Sequence, residues 1–130
     1  YPPVYVLARR TTERVVVGGY QFERGQMVSV APYGVHRQPD VWPDPERFDP
    51  DRFLPERESA RPRSAYVPFG LGPRVCIGNH FALMEGPIML STLARTLRFE
   101  MARDAVVKPA VVTTLRPGDV HATVRFYPRA

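Results

Sequence analysis

The stretch Phe69-Gly70-Leu71-Gly72-Pro73-Arg74-Val75-Cys76-Ile77-Gly78 decides how this chain is read. It opens directly into the one convincing helical pattern, predicted over residues 77–99, so its cysteine is expected at a helix N-terminus. Unpaired N–H groups and the helix dipole favour negative charge there, which suits a thiolate. Gly70, Gly72 and Gly78 let the backbone approach a flat, bulky ligand closely. Arg74, two residues before the cysteine, is a permanent cation able to pair with a carboxylate on that ligand. An isolated cysteine is more often a small core residue, and it is the spacing around Cys76 that makes it a candidate ligand.

A thiolate, flanking glycines, an aromatic and an anion clamp suit axial ligation of haem iron. The spacing matches F-x-x-G-x-R-x-C-x-G at all five fixed positions: Phe69, Gly72, Arg74, Cys76 and Gly78. That pattern is the haem-binding signature of the cytochrome P450 family, and the chain strongly resembles the C-terminal part of such a haem-thiolate monooxygenase. Phe48-Asp49-Pro50-Asp51-Arg52-Phe53 resembles the family's F-x-P-x-R-F meander motif. His36-Arg37-Gln38-Pro39 and Trp42-Pro43-Asp44-Pro45 resemble the segment just before it. Asn79-His80-Phe81-Ala82-Leu83-Met84-Glu85 looks like the start of the helix behind the haem, and Tyr1-Pro2-Pro3-Val4 like the stretch following the E-x-x-R helix.

The resemblance implies a mainly α fold with small β-sheets, of which this piece is α+β. Its expected segments are a β-region over 1–31, a meander over 32–68, the Cys-ligand loop over 69–78, a long buried helix over 79–99 and C-terminal strands over 100–130. The implied cofactor is haem b (iron protoporphyrin IX). Cys76 would be its proximal ligand, whose electron donation favours heterolysis of the O–O bond. Arg74 and Arg9 would hold the propionates, in charge-assisted bonds contributing roughly 1.5–3 kcal/mol each. Phe69 would lie against the sulfur side of the haem, Gly72 and Gly78 would admit the ring, and His80 would sit at its edge. Arg52 would complete a network with a Glu and an Arg of the upstream helix, while His36 and His121 carry no signal of their own.

The activity so implied inserts one oxygen atom of O2 into an apolar small-molecule substrate, with electrons from NAD(P)H through a ferredoxin or a flavoprotein reductase. A peroxide-using peroxygenase and a non-catalytic haem-binding protein are the alternatives. Residues 4–8 and 112–115 resemble substrate-recognition segments, although ordinary strand packing explains their aliphatic and threonine content nearly as well. The expected location is the cytoplasm, any membrane anchor lying upstream. The resemblance further implies a C-terminal fragment that lacks the N-terminal part of the same protein, binds haem poorly alone and shows no turnover.

Outward from the signature, turn chemistry organises the rest. Val15-Val16-Val17, Gly18-Gly19 and Tyr20-Gln21-Phe22 read as a hairpin, with a third short strand over 27–31. Nine prolines fall between residues 32 and 73, which excludes a long helix or a central strand there. Trp42, Phe48, Phe53, Tyr66 and Phe69 are scattered through that stretch, so an ordered coil pinned by aromatics is expected. Residues 56–64, charged and without aromatics, are its expected mobile part. Pro87 should kink or loosen the helix, at about 3 kcal/mol in a regular interior. In the tail, a second hairpin is expected from 111–115 to 121–126 across Arg116-Pro117-Gly118-Asp119.

Composition sets the outer limits. The chain has 130 residues, enough for one ordinary domain, and its 44% hydrophobic and 24% charged residues argue against disorder. The single cysteine excludes an intramolecular disulfide framework and a multi-cysteine zinc site. Net charge is +5, carried by 17 Arg and one Lys. These are interleaved with 13 acids and form no basic run, so no nucleic-acid partner is expected. The arginine excess instead offers positive charge to an acidic redox protein docking on the cysteine side of the haem.

Overall fold

A computed structural model describes residues 1–127; residues 128–130, the end of the expected C-terminal strand segment, lie outside the described residues. The chain divides into two compact units, Tyr1–Gly72 and Pro73–Ala130.

The first unit begins with a ribbon inside a ribbon. Strand β1 (Leu7–Arg10) pairs antiparallel with β4 (Met27–Val30), and between them β2 (Val15–Val17) pairs with β3 (Tyr20–Phe22). Gly18 and Gly19 both take positive φ, +58° and +84°, the left-handed pair a two-residue hairpin turn requires. The expected hairpin is therefore present, with Val17 opposite Tyr20 and Val15 opposite Phe22. Thr11 ties the ribbons together: its N–H donates to the Gln26 carbonyl at 3.0 Å and its carbonyl accepts from Gly25 N–H at 2.8 Å.

The proline-rich stretch follows as expected, in single turns. Helix α1 (Pro32–Val35) and helix α2 (Pro55–Ser59) each start on a proline, which needs no N–H there. Two 3-10 turns, Pro50–Phe53 and Arg63–Ala65, fill the remainder. Residues 56–64, expected to be mobile, thus hold most of α2 and a 3-10 turn. The unit's core is small. Pro32 is fully buried, and Trp42, Ala65 and Val67 are the unit's buried hydrophobic residues.

The second unit carries helix α3 (Asn79–Thr96) and two more nested ribbons. Strand β5 (Leu97–Met101) pairs antiparallel with β8 (Ala122–Phe126), and β6 (Pro109–Val111) with β7 (Leu115–Pro117). Leu115 is its buried hydrophobic residue. Pro87 lies inside α3, and the helix runs through it to Thr96.

Two expectations need correction here. The helix ends at Thr96 and not at Phe99, because Leu97 turns extended (φ −127°, ψ 145°) and starts β5. The reversal expected at residues 116–119 lies at 112–114: Leu115–Pro117 is itself a strand, and 122–126 pairs with 97–101 instead of with 111–115. The helix, expected to be buried only within a larger protein, has no buried residue within this chain. Phe81, Met84 and Ile88 remain exposed, and Ile77 just before them is fully so. Among the described residues its unit has no second α-helix to cover that surface.

Candidate functional site

Within the first unit, the ten-residue signature is approached along a tightly held backbone. The Ala65 carbonyl accepts the Trp42 indole N–H at 3.2 Å, and the Val67 N–H donates to His36 Nε2 at 2.9 Å. Trp42, Phe53 and Tyr66 pack as an aromatic cluster, with Phe53 and Tyr66 centroids 4.9 Å apart and Trp42 about 6 Å from each. Arg61 lays its guanidinium over the Trp42 ring at 4.2 Å, a cation–π contact. Burial pushes the Tyr66 phenol above its ordinary value and the His36 imidazole below its own.

The meander is pinned by Arg52. Its Nη1 donates to the Pro43 carbonyl at 2.5 Å, and its Nη2 to the Asp44 and Arg47 carbonyls at 2.7 and 3.3 Å. Asp44 is the one non-glycine residue with positive φ (+48°) among the described residues, so the fork closes over a left-handed turn. Arg37 lies over the rings of Tyr1 and Tyr33 at 4.3 and 3.8 Å and pairs with Glu46 at 2.6 Å. Neither Arg37 nor His36 carries a signal of its own in the sequence, because their partners include Tyr1 and Val67, 36 and 31 residues away and beyond local pattern.

The loop itself starts with a turn in which Gly70 N–H donates to the Val67 carbonyl at 3.0 Å. Gly70 and Gly72 have φ of +77° and +74°, so both glycines are required by backbone conformation. A Cβ at Gly72 would meet nothing within 4 Å. Phe69 is half-buried. Arg9 lies on β1 opposite Val28, exposed, with Nη1 on the neighbouring Ala8 carbonyl at 2.8 Å.

The boundary between the units falls inside the signature, after Gly72. In the second unit, Cys76 is an exposed free thiol three residues before the first residue of α3. Its carbonyl accepts Asn79 N–H at 3.3 Å, and the carbonyl of the N-cap residue Gly78 accepts Ala82 N–H at 3.0 Å. A Cβ on Gly78 would sit 3.9 Å from Cys76 Sγ, an ordinary contact, which places Gly78 directly beside the sulfur. Arg74 is exposed and, among the described residues, its guanidinium has no ion-pair partner. His80 is exposed in the first turn of α3, its N–H on Asn79 Oδ1 at 2.6 Å. Cys76, Gly78, Arg74 and His80 therefore lie in one unit, and Phe69, Gly72 and Arg9 in the other.

Strands, meander, glycine-rich cysteine loop and following helix, in that chain order, define a piece of a haem-domain architecture. Residues 1–119 match the family described as Cytochrome P450, and the chain belongs to that family. It is 40% identical over 118 residues to cytochrome P450 4V2 of Mus musculus, across 84% of this chain and 22% of that protein. It is 36% identical over 118 residues to cyclooctatin synthase of Streptomyces melanosporofaciens, across 91% of this chain and 26% of that one. The crystal structure of the cytochrome P450DA heme domain superposes with a TM-score of 0.86 at 32% identity, over 96% of this chain and 28% of that one. The chain thus spans about a quarter of the length of the relatives it matches.

Proposed function

We propose that this chain supplies the proximal, cysteine-bearing part of a haem-thiolate monooxygenase, with Cys76 as the axial ligand of haem b. The observation that carries the reading is the exposed Cys76 thiol set in the signature just before α3, with Gly78 beside its sulfur. Within the second unit the residues fit the group: Cys76 is one soft, exposed donor, and Arg74 is an exposed cation with no ion-pair partner among the described residues. Among the described residues no cluster of three His, Cys, Asp or Glu side chains forms a metal cage, so a ring that brings four of its own donors suits this lone ligand.

When bound, thiolate-ligated haem supplies activation of O2 for inserting one oxygen atom into an apolar substrate, with electrons drawn from NAD(P)H through a ferredoxin or flavoprotein reductase. The chain's own residues do the holding. Cys76 presents the sulfur, with Gly78 beside it. Arg74 and Arg9 would hold the propionates, Phe69 would shield the thiolate, and His80 would lie at the haem edge. The arginine-rich surface attracts an acidic electron donor. A cytoplasmic setting belongs to the same reading.

The test is the ferrous–CO spectrum of the haem-loaded protein. Cys76→Ala should abolish the thiolate–CO band, and Cys76→His should retain haem with a shifted band and no oxygen insertion. A normal thiolate–CO spectrum from Cys76→Ala would end the proposal.

A further inference from the structure

The backbone that delivers the cysteine loop is fastened by a group that titrates. Residues 65–67 are held at two points: the Trp42 indole donates to the Ala65 carbonyl, and His36 Nε2 accepts the Val67 N–H at 2.9 Å. Ala65, Val67 and Trp42 are all buried, so neither backbone group has water as a ready substitute. Val67 then passes the constraint forward, since its carbonyl accepts Gly70 N–H in the turn that opens the signature. His36 is itself fixed. Its N–H donates to the Pro32 carbonyl at 2.9 Å at the end of α1, and its ring lies against Tyr66 with centroids 5.0 Å apart.

We infer that His36 is a positioning residue: its neutral imidazole, protonated on Nδ1 and bare on Nε2, is the acceptor that fixes Val67 and so the take-off of the cysteine loop. A nitrogen that accepts an N–H cannot also carry a proton. Protonating His36 therefore sets two N–H groups against each other and releases the Val67 end of the clamp. The link to Cys76 rests on the proposed function; the hydrogen-bond switch does not.

The surroundings favour the neutral form. Burial is the largest influence holding His36 below its ordinary value of 6.5, and the positive charge of Arg37 acts in the same direction. Arg47, Arg52, Glu46 and Asp49 share the same cleft, and Tyr66 is the titratable group on the facing segment. Among the described residues no carboxylate pairs with the ring. A histidine whose folded value is depressed takes up its proton more readily when unfolded. Its contribution is thus complete above pH 6.5 and falls as pH drops below that value through the folded one.

The experiment is nuclear magnetic resonance on the haem-loaded, diamagnetic ferrous–CO protein labelled at histidine and valine nitrogen. At neutral pH the His36 nitrogens should show the Nδ1–H tautomer. On lowering pH from about 7.5 to about 5, Val67 amide protection, corrected for intrinsic exchange, should drop about tenfold as His36 titrates. His36→Gln, which offers a non-titrating acceptor, should keep the protection and lose the pH dependence. His36→Phe, which keeps a ring against Tyr66 but accepts nothing, should lose protection at both pH values. A proton on Nε2 at neutral pH would overturn the inference, as would Val67 protection that survives His36 protonation. Because tautomer and titration are read in the unsubstituted protein, the outcome stands even if a variant fails to fold. Loss of the thiolate–CO band in the same sample, with the switch intact, would count against the haem reading alone.

Discussion

Trp42 is the only tryptophan and the only large aromatic among the buried residues. Replacing it should show how the meander is held. Burying an indole removes ~150–250 Å2 from water, which at ~25 cal/mol/Å2 stabilises by ~4–6 kcal/mol. That is an upper figure, because the unfolded chain already hides part of this surface. The N–H bond to Ala65 adds about 1 kcal/mol, and tryptophan-to-alanine changes in cores cost ~3–5 kcal/mol. Trp42→Ala should therefore destabilise by about 4 kcal/mol. Trp42→Phe keeps a ring against Phe53, Tyr66 and Arg61 but leaves the Ala65 carbonyl without its donor, a loss of about 2 kcal/mol. Both are read from urea unfolding of the haem-loaded protein followed by far-ultraviolet circular dichroism. With a slope of ~1–3 kcal/mol per M, the alanine variant's midpoint should fall by more than about 1 M. Equal midpoints for the two variants would mean that the hydrogen bond, not ring burial, carries the effect. A change below about 1 kcal/mol in Trp42→Ala would refute the cluster as the unit's core.

Substitutions at two further residues separate structure from haem binding. Arg52→Lys cannot reach three carbonyls with one ammonium, so it should lower stability by about 2 kcal/mol in the same urea assay while leaving the thiolate–CO band in place. Arg74→Ala should speed haem transfer to apomyoglobin by about tenfold or more without changing the axial ligand, and Arg74→Lys should recover only part of that; unchanged rates in both would remove Arg74 as a propionate clamp.

The parts legible in the sequence are those whose signal is local. Gly18-Gly19 announces a turn because adjacent glycines alone tolerate two consecutive positive φ values. The cysteine loop is legible for the same kind of reason, since Gly70 and Gly72 meet a backbone demand within the motif itself. Strand β1 is not, because Leu7-Ala8-Arg9-Arg10 lacks alternation and becomes a strand only by pairing with Met27–Val30. The C-terminal reversal misleads for a physical reason. Pro117-Gly118 is a strong turn signal, yet Gly118 N–H donates to the Lys108 carbonyl at 2.8 Å, and a Cβ there would come within 2.9 Å of that oxygen. The glycine serves close approach, while the actual reversal uses Val112-Thr113-Thr114. Likewise Leu97-Arg98-Phe99 continues a helical apolar pattern, and only cross-strand partners 25 or more residues away make it extended. His36 is the clearest case at the site, because a contact with Val67 leaves no trace in neighbouring residues.

The ribbon-inside-ribbon arrangement of each unit has a consequence for chain entropy. Closing β1 on β4 unaided would bridge the sixteen residues between Arg10 and Met27, but the inner β2–β3 ribbon takes up eight of them. Halving the free loop lowers its closure cost by about 0.6 kcal/mol. In the second unit, the inner ribbon over 109–117 removes nine of the twenty residues between Met101 and Ala122. In both units the short ribbon is closed by its own three-residue strands and a tight reversal, so its ordering is a local event whose entropy is spent before the longer pairing begins. Each outer ribbon thereby inherits ends already brought together, which lets four- and five-residue strands hold a register that such short segments would otherwise find only rarely.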